Sequence, residues 1–177
     1  MAKDNFEAKT KLIEGINVIN DYLELVEKQS RKEGVLRPGI EADLAEKSQW
    51  LTDERLRIEG MTDRNVLKTE SQKLKKFWLE LGLRLRALQL SIVEKDIEKE
   101  LERLRRLQVK MGLEKKVSLV NKLAIAQDKL EIVKVSLNSL ILGGGSEDDW
   151  KRDKQLLREA IQYERYALKE MKGILEK

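Results

Sequence analysis

This 177-residue sequence contains no cysteine and no histidine. Without cysteine there are no disulfides and no thiolate nucleophile, so nothing in the sequence argues for an oxidising compartment. Without histidine, imidazole acid–base catalysis and His-ligated metal sites are excluded. The carboxylates lack the spacing of an EF-hand, and no phosphate-binding loop is present. We therefore expect a protein that is not an enzyme and that needs no cofactor.

Long apolar runs are also missing. No stretch approaches the roughly 18 apolar residues that a membrane-spanning helix needs. Residues 1–12 lack the apolar segment of a signal peptide. We therefore expect no membrane span, and the expected location is the cytoplasm.

Charged residues, at 38%, and hydrophobic residues, at 41%, dominate the composition, while proline occurs once. Such a composition is typical of long helices with a packed core. The stops between the helices are glycines followed by an apolar residue, and we expect these glycines to take the left-handed conformation at helix ends. They are Gly34, Gly60 and Gly112. A further stop is the glycine run 143–145, after which Ser146 is suited to cap the next helix.

Five helices follow from these stops, because apolar residues recur between them every three or four positions. The expected helices lie near residues 4–33, 38–59, 63–111, 114–142 and 147–176. The third helix changes its apolar face. One seam includes Leu67, Leu74, Trp78, Leu81, Leu85 and Leu88, and a second includes Leu83, Ala87, Leu90, Ile97, Leu101 and Leu104. The two seams overlap between residues 83 and 92, so we expect burial on both sides there.

The sequence thus predicts an elongated all-α protein, a single helical domain over residues 1–177 built on one long central helix. Residues 38–82 are expected to form a protruding antiparallel helical hairpin, and residues 1–33 with 83–177 a four-helix bundle. Alternatively, the second seam enters a homodimer. The candidate protein interface is therefore Phe77, Leu83, Ala87 and Leu90. The neighbouring Trp78 lies on the first seam and is expected in the core.

A regular row of cations on the third helix is the other candidate site. We name it the basic stripe, formed by Lys95, Lys99, Arg103, Arg106 and Lys110, with Lys115 and Lys116 as its extension beyond the turn. Three interpretations remain open. The stripe is a solvated face, or it pairs with acidic residues of the first helix, or it contacts nucleic-acid phosphates.

Function is therefore expected to be binding. The first hypothesis is a non-enzymatic assembly, adaptor or structural protein that contacts another protein or a second copy of itself. The alternative is a sequence-nonspecific nucleic-acid-binding protein that uses the basic stripe, although no nucleic-acid-binding motif is present.

Overall fold

The structure, a computed structural model, describes the backbone of residues 2–176 and the side chains of residues 5–176. Within residues 2–176 it contains five helices joined by short turns and no strands, which confirms the all-α fold class. The five helices are α1 (Ala2–Lys32), α2 (Pro38–Glu59), α3 (Arg64–Lys110), α4 (Val117–Ile141) and α5 (Glu147–Leu175). Their bounds agree closely with those expected from the apolar spacing. Helix α3 is continuous through Gly82.

The glycine stops are left-handed at two of the three predicted positions. Gly34 has a φ of 66° and Gly112 a φ of 65°. Behind Gly34, the amide of Val35 donates to the carbonyl of Ser30 at 2.9 Å, which completes the expected helix end. The prediction is wrong for Gly60, whose φ is −81°. The right-handed turn continues past it, with the amide of Met61 donating to the carbonyl of Ile58 at 3.0 Å, so this turn does not require glycine.

The beginning of α5 is fixed by the predicted cap. The hydroxyl of Ser146 accepts from the amide of Asp149 at 3.3 Å, and the Asp149 carboxylate accepts from the amide of Ser146 at 2.9 Å. This reciprocal pair is a capping box, and it satisfies two amides that the helix leaves free. The hydrogen bonds from Ser146 lower the pKa of Asp149.

Contacts divide the chain into two compact units, Met1–Leu88 and Gln89–Lys177. The first unit contains α1, α2 and residues 64–88 of α3. Its buried residues are Ile16, Leu23 and Val26 from α1, Leu44, Leu51 and Ile58 from α2, and Leu67, Leu74, Leu81, Leu85 and Leu88 from α3. The first seam of α3 therefore belongs to the core of this unit.

A charged network is buried beside that core. Glu54 and Glu70 are only 6% and 2% exposed, and the guanidinium of Arg57 donates to both. Lys73 also donates to Glu70, at 3.1 Å. These donors, the Arg57 hydrogen bond first, lower the pKa of Glu70 to about 2. Glu54 interrupts the apolar pattern of α2, and Arg57 explains how it is accommodated.

The second unit contains residues 89–110 of α3 together with α4 and α5. Its core is formed by Ile97, Leu101 and Leu104 from α3, Leu119, Leu123, Leu130 and Leu137 from α4, and Leu157, Ala160, Ala167 and Met171 from α5. The second seam of α3 is thus buried from Ile97 to Leu104, as expected. The boundary between the units falls inside the stretch where the two seams overlap.

The observed division differs from the expected one in the place of α1. We expected residues 1–33 to form a four-helix bundle with residues 83–177, whereas α1 belongs to the unit of α2. Lys9 donates to the carbonyl of Glu59 at 3.0 Å, and Ser48 donates to Asn20 at 2.8 Å. Helix α1 therefore packs in the first unit, beside α2 and the first part of α3.

Candidate interaction surface

The predicted protein interface does not form one exposed patch. Ala87 is fully buried, and Leu83 and Leu90 are partly buried. Phe77 is half-buried, and its ring stacks on that of Trp50 with 4.2 Å between centroids. The residues of the predicted interface are thus partly covered by other residues of the same protein.

Trp78 was expected in the core, but it is 36% exposed. Its ring meets the edge of Tyr22 from α1 at 5.8 Å between centroids. The tryptophan therefore lies at the margin of the first unit, in contact with α1. Burial in turn raises the pKa of Tyr22.

The basic stripe is largely solvated and pairs within its own helix. Lys99 contacts Asp96 at 3.0 Å, Arg103 contacts Glu100 at 3.5 Å and Arg106 contacts Glu102 at 3.3 Å. These contacts join residues three or four positions apart. Such exposed pairs contribute only a few tenths of a kcal/mol each.

Partners for the stripe from α1 were an open interpretation, and the ion pairs described for Lys99, Arg103 and Arg106 lie within α3. Within α1, Glu24 accepts from Asn20 and Glu27 pairs with Arg31.

Of the two lysines expected to extend the stripe, Lys115 and Lys116, only Lys115 is free of an ion pair among the described residues. Lys116 turns to Glu170 of α5 at 3.3 Å, where Lys122 also binds. Lys110 and Lys115 are exposed and form no ion pair with the side chains described, so they are the freest cations of this surface.

A different surface, which sequence reasoning missed, is the side of α4 that faces away from its core. The exposed fractions are 70% for Val117, 74% for Val135 and 73% for Leu142. We define the outer face of α4 by its exposed apolar residues, namely Val117, Val120, Ile125, Ile132, Val135 and Leu142. At 100° per residue they lie opposite the buried Leu119–Leu140 seam. Helix α4 is therefore apolar on two sides, and only one side is covered by its own unit.

The size of this face suggests more than scattered apolar residues. Its six side chains are 36% to 74% exposed. Together they present on the order of 500 Å² of apolar surface, comparable with the largest patch of a typical monomer, which is often functional. A signal for it exists in the sequence, because residues 117–142 include only five charged residues, Lys122, Asp128, Lys129, Glu131 and Lys134.

A cavity of about 510 Å³ adjoins the C-terminal part of the outer face. It lies between the end of α4 and the beginning of α5, and its lining includes Ile132, Val135, Ser139 and Arg152. Arg152 is held at the rim by Asp149 at 3.2 Å and by the Ser136 hydroxyl at 2.9 Å. The cavity offers room for a side chain from a partner beside the apolar residues.

Acidic side chains crowd around a single lysine at the middle of α4. Lys134 contacts Glu98 at 2.5 Å, Glu131 at 3.6 Å and Glu94 at 3.7 Å. Burial raises the pKa of Glu94, the charges of Glu98 and Glu131 add to this effect, and Lys134 opposes it. Asp128 is exposed nearby on α4 and has no ion-pair partner in the described part of the chain. We name Glu98, Asp128 and Glu131 the acidic belt.

One of the buried carboxyls of α5 has no ion-pair partner within the described residues. Glu164 is 7% exposed, and its Oε1 atom has no hydrogen-bond partner within the described residues. Burial, together with the charge of Glu100, raises its pKa to about 7. Glu164 departs from the apolar spacing of α5 in the sequence, and the structure places it in the interior nonetheless.

No protein-family profile, curated protein or solved structure matches this chain. Among the residues that the structure describes, none of the helices has the length and apolar character needed to cross a membrane. The same residues contain no group of three side chains arranged to hold a metal ion.

Proposed function

We propose that this protein is a non-enzymatic assembly or adaptor protein that binds another protein through the outer face of α4. The observation that supports this most is the exposed row of valine, isoleucine and leucine side chains opposite the buried seam of the same helix. A solvent-facing helix position is normally filled by a better helix former such as Glu, Lys or Gln. Branched aliphatic residues such as Val117 and Val135 do not favour the helix, so a packing role accounts for them better.

The proposed function is tested by replacing two of these residues with a polar helix former. Ile132→Gln/Val135→Gln removes the apolar contacts without changing net charge or introducing a helix breaker. The matched control is Val18→Gln/Leu25→Gln, which changes two exposed residues of α1. The protein would be used as bait in an extract of its native cells, and the retained proteins identified by mass spectrometry. We expect a partner that the parent and the control retain and the α4 variant loses.

Equal capture by the parent and the α4 variant would contradict this function. Circular dichroism at matched concentration verifies that all three proteins keep the same helix content.

Nucleic-acid binding is the second candidate, and the exposure of the basic stripe favours it. Arg103 and Arg106 are exposed, and their ion-pair neighbours Glu100 and Glu102 lie on the same helix. Those carboxylates reduce the local positive potential, which is the reason for ranking this function second. Binding of duplex and single-stranded DNA would be measured against salt concentration, because phosphate contacts give a steep loss of affinity with salt.

A further inference from the structure

The centre of the outer face of α4 bears an excess of negative charge. This inference rests on the proposed function, since it concerns the partner of the same surface. Asp128 is exposed, Glu131 keeps 59% of its side-chain surface exposed, and Glu98 keeps 39%. The cation Lys134 is shared by three carboxylates. A partner that covers this surface must bring positive charge to its middle, because a carboxylate buried without a cation is unfavourable.

The charge pattern disfavours a second copy of this chain as the occupant. A two-fold axis places the same patch of both copies face to face. If two α4 helices met about the centre of the outer face, in either direction, Asp128 and Glu131 would lie opposite the same acids of the partner. Opposed carboxylates at an interface oppose association, so complementarity favours a different protein.

The arrangement of the apolar residues indicates the shape of the partner. The row runs from Val117 to Leu142 along one helix, which is roughly 38 Å at a rise of 1.5 Å per residue. Apolar residues occupy both ends of the row, with the acidic side chains Asp128 and Glu131 between them. A straight row of this kind is matched by the apolar stripe of a second helix packed alongside.

We propose that the outer face of α4 binds an amphipathic helix of another protein, whose apolar stripe carries a lysine or arginine opposite Asp128 and Glu131. The apolar ends of the stripe cover Val117 and Val120 at one end, and Val135 and Leu142 at the other. One large side chain of the partner helix enters the cavity beside Val135. The central cation pairs with the acidic belt and sets the register of the two helices.

The probes for this proposal are two synthetic 26-residue helical peptides with the same apolar stripe of Leu and Ile. They differ only at the central stripe position, which is lysine in one and glutamate in the other. Each is labelled and kept at nanomolar concentration, so that it stays monomeric while the full-length protein is titrated and anisotropy is recorded. We expect the lysine peptide to bind roughly tenfold more tightly than the glutamate peptide at low salt.

A charge-reversal variant tests whether the acidic belt is responsible. In Asp128→Lys/Glu131→Lys the preference should reverse, so that the glutamate peptide binds more tightly. The control Asp96→Lys/Glu102→Lys makes the same change in net charge on exposed residues of α3. It should retain the preference of the parent.

Equal affinity of the parent for both peptides, an unchanged preference in Asp128→Lys/Glu131→Lys, or no binding of either peptide would overturn the proposal. If the parent binds both peptides equally and Ile132→Gln/Val135→Gln binds neither, the proposed central cation is wrong while the proposed function stands. Light scattering tests whether a second copy of this chain occupies the outer face of α4. A parent dimer that becomes a monomer in Ile132→Gln/Val135→Gln would show that a second copy covers this face, and the proposal would be wrong.

Discussion

The buried carboxyl of Glu164 makes the stability of the second unit depend on pH in an unusual direction. Its pKa in the folded protein is about 7, above the ordinary value of 4.5. Below pH 4.5 the group is protonated in both the folded and unfolded states. As the pH rises through 7, the folded protein must ionise a carboxyl that is 7% exposed and faces Glu100. The unit therefore loses stability as the pH increases from about 5 to 8.

The size of this loss follows from the shift in pKa. One pKa unit corresponds to 1.36 kcal/mol, so the shift of Glu164 corresponds to about 3 kcal/mol at a pH well above 7. Glu164→Gln keeps the shape of the side chain and cannot ionise. We expect the variant to be close to the parent in stability at pH 5 and about 3 kcal/mol more stable at pH 9.

Urea unfolding at pH 5, 7 and 9 measures this difference. Trp150 is the tryptophan of the second unit, so its fluorescence reports on α5 after Trp50 and Trp78 are replaced by phenylalanine. A suitable control is Glu159→Gln, on the same helix. The pKa of Glu159 is lowered, chiefly by its hydrogen bond with Lys129.

The control variant Glu159→Gln should be less stable than the parent, mainly above pH 4.5, where the Glu159 carboxylate is ionised and stabilises the fold. If the difference in free energy of unfolding between Glu164→Gln and the parent is the same at pH 5 and pH 9, burial does not raise the pKa of this carboxyl and the reasoning fails.

Three further changes test the fold and the basic stripe. Gly112→Ala forces a side chain into a φ of 65° and should cost about 1 kcal/mol, whereas Gly60→Ala, at a φ of −81°, should be neutral or stabilising in thermal unfolding. Arg57→Ala leaves Glu54 and Glu70 buried without their main donor and should cost about 2 kcal/mol at pH 7 in urea unfolding. Changing Lys99, Arg103, Arg106 and Lys110 of the basic stripe together to glutamate should lower the free energy of unfolding by only about 1 kcal/mol. At physiological salt we expect both the parent and this variant to bind DNA weakly. Tight binding by the parent that the folded variant loses would favour the nucleic-acid function.

The helices and their buried faces could be predicted from the sequence because apolar spacing directly reflects which side of a helix is covered. The change of face in α3 was visible in this way, and the boundary at residues 88 and 89 lies within the predicted overlap. The pairing of helices was not predictable to the same extent. Ile16, Leu23 and Val26 form a seam that suits many helical neighbours, and its packing with α2 depends on contacts such as Ser48 with Asn20.

The surfaces were harder to predict, because spacing alone does not show which of two apolar sides is covered. Helix α4 has aliphatic residues on both sides: its leucines follow the regular spacing of three or four positions, while Val117 and Val135 lie on the opposite side. Of the basic stripe, Lys99, Arg103, Arg106 and Lys110 are exposed and Lys95 is partly buried. The pairing of the stripe within α3 depends on side-chain positions that the sequence does not specify. Glu164 interrupts the apolar spacing of α5 in the sequence, but its raised pKa arises from burial and, to a lesser extent, from the charge of Glu100, and both depend on packing.

The two units accommodate buried carboxylates in opposite ways, and this has a consequence for their stability. In the first unit, Arg57 lowers the pKa of Glu70 to about 2, so that stability is present above pH 4.5 and is lost as the pH falls towards 2. In the second unit, burial raises the pKa of Glu94 and Glu164, so stability is lost as the pH rises. Through Glu164, raising the pH from about 5 to 8 therefore weakens the unit that bears the outer face of α4, whereas Glu70 of the first unit is already ionised in this range. A cation bound at the acidic belt would counteract part of this loss, because it favours the ionised form of the nearby Glu94.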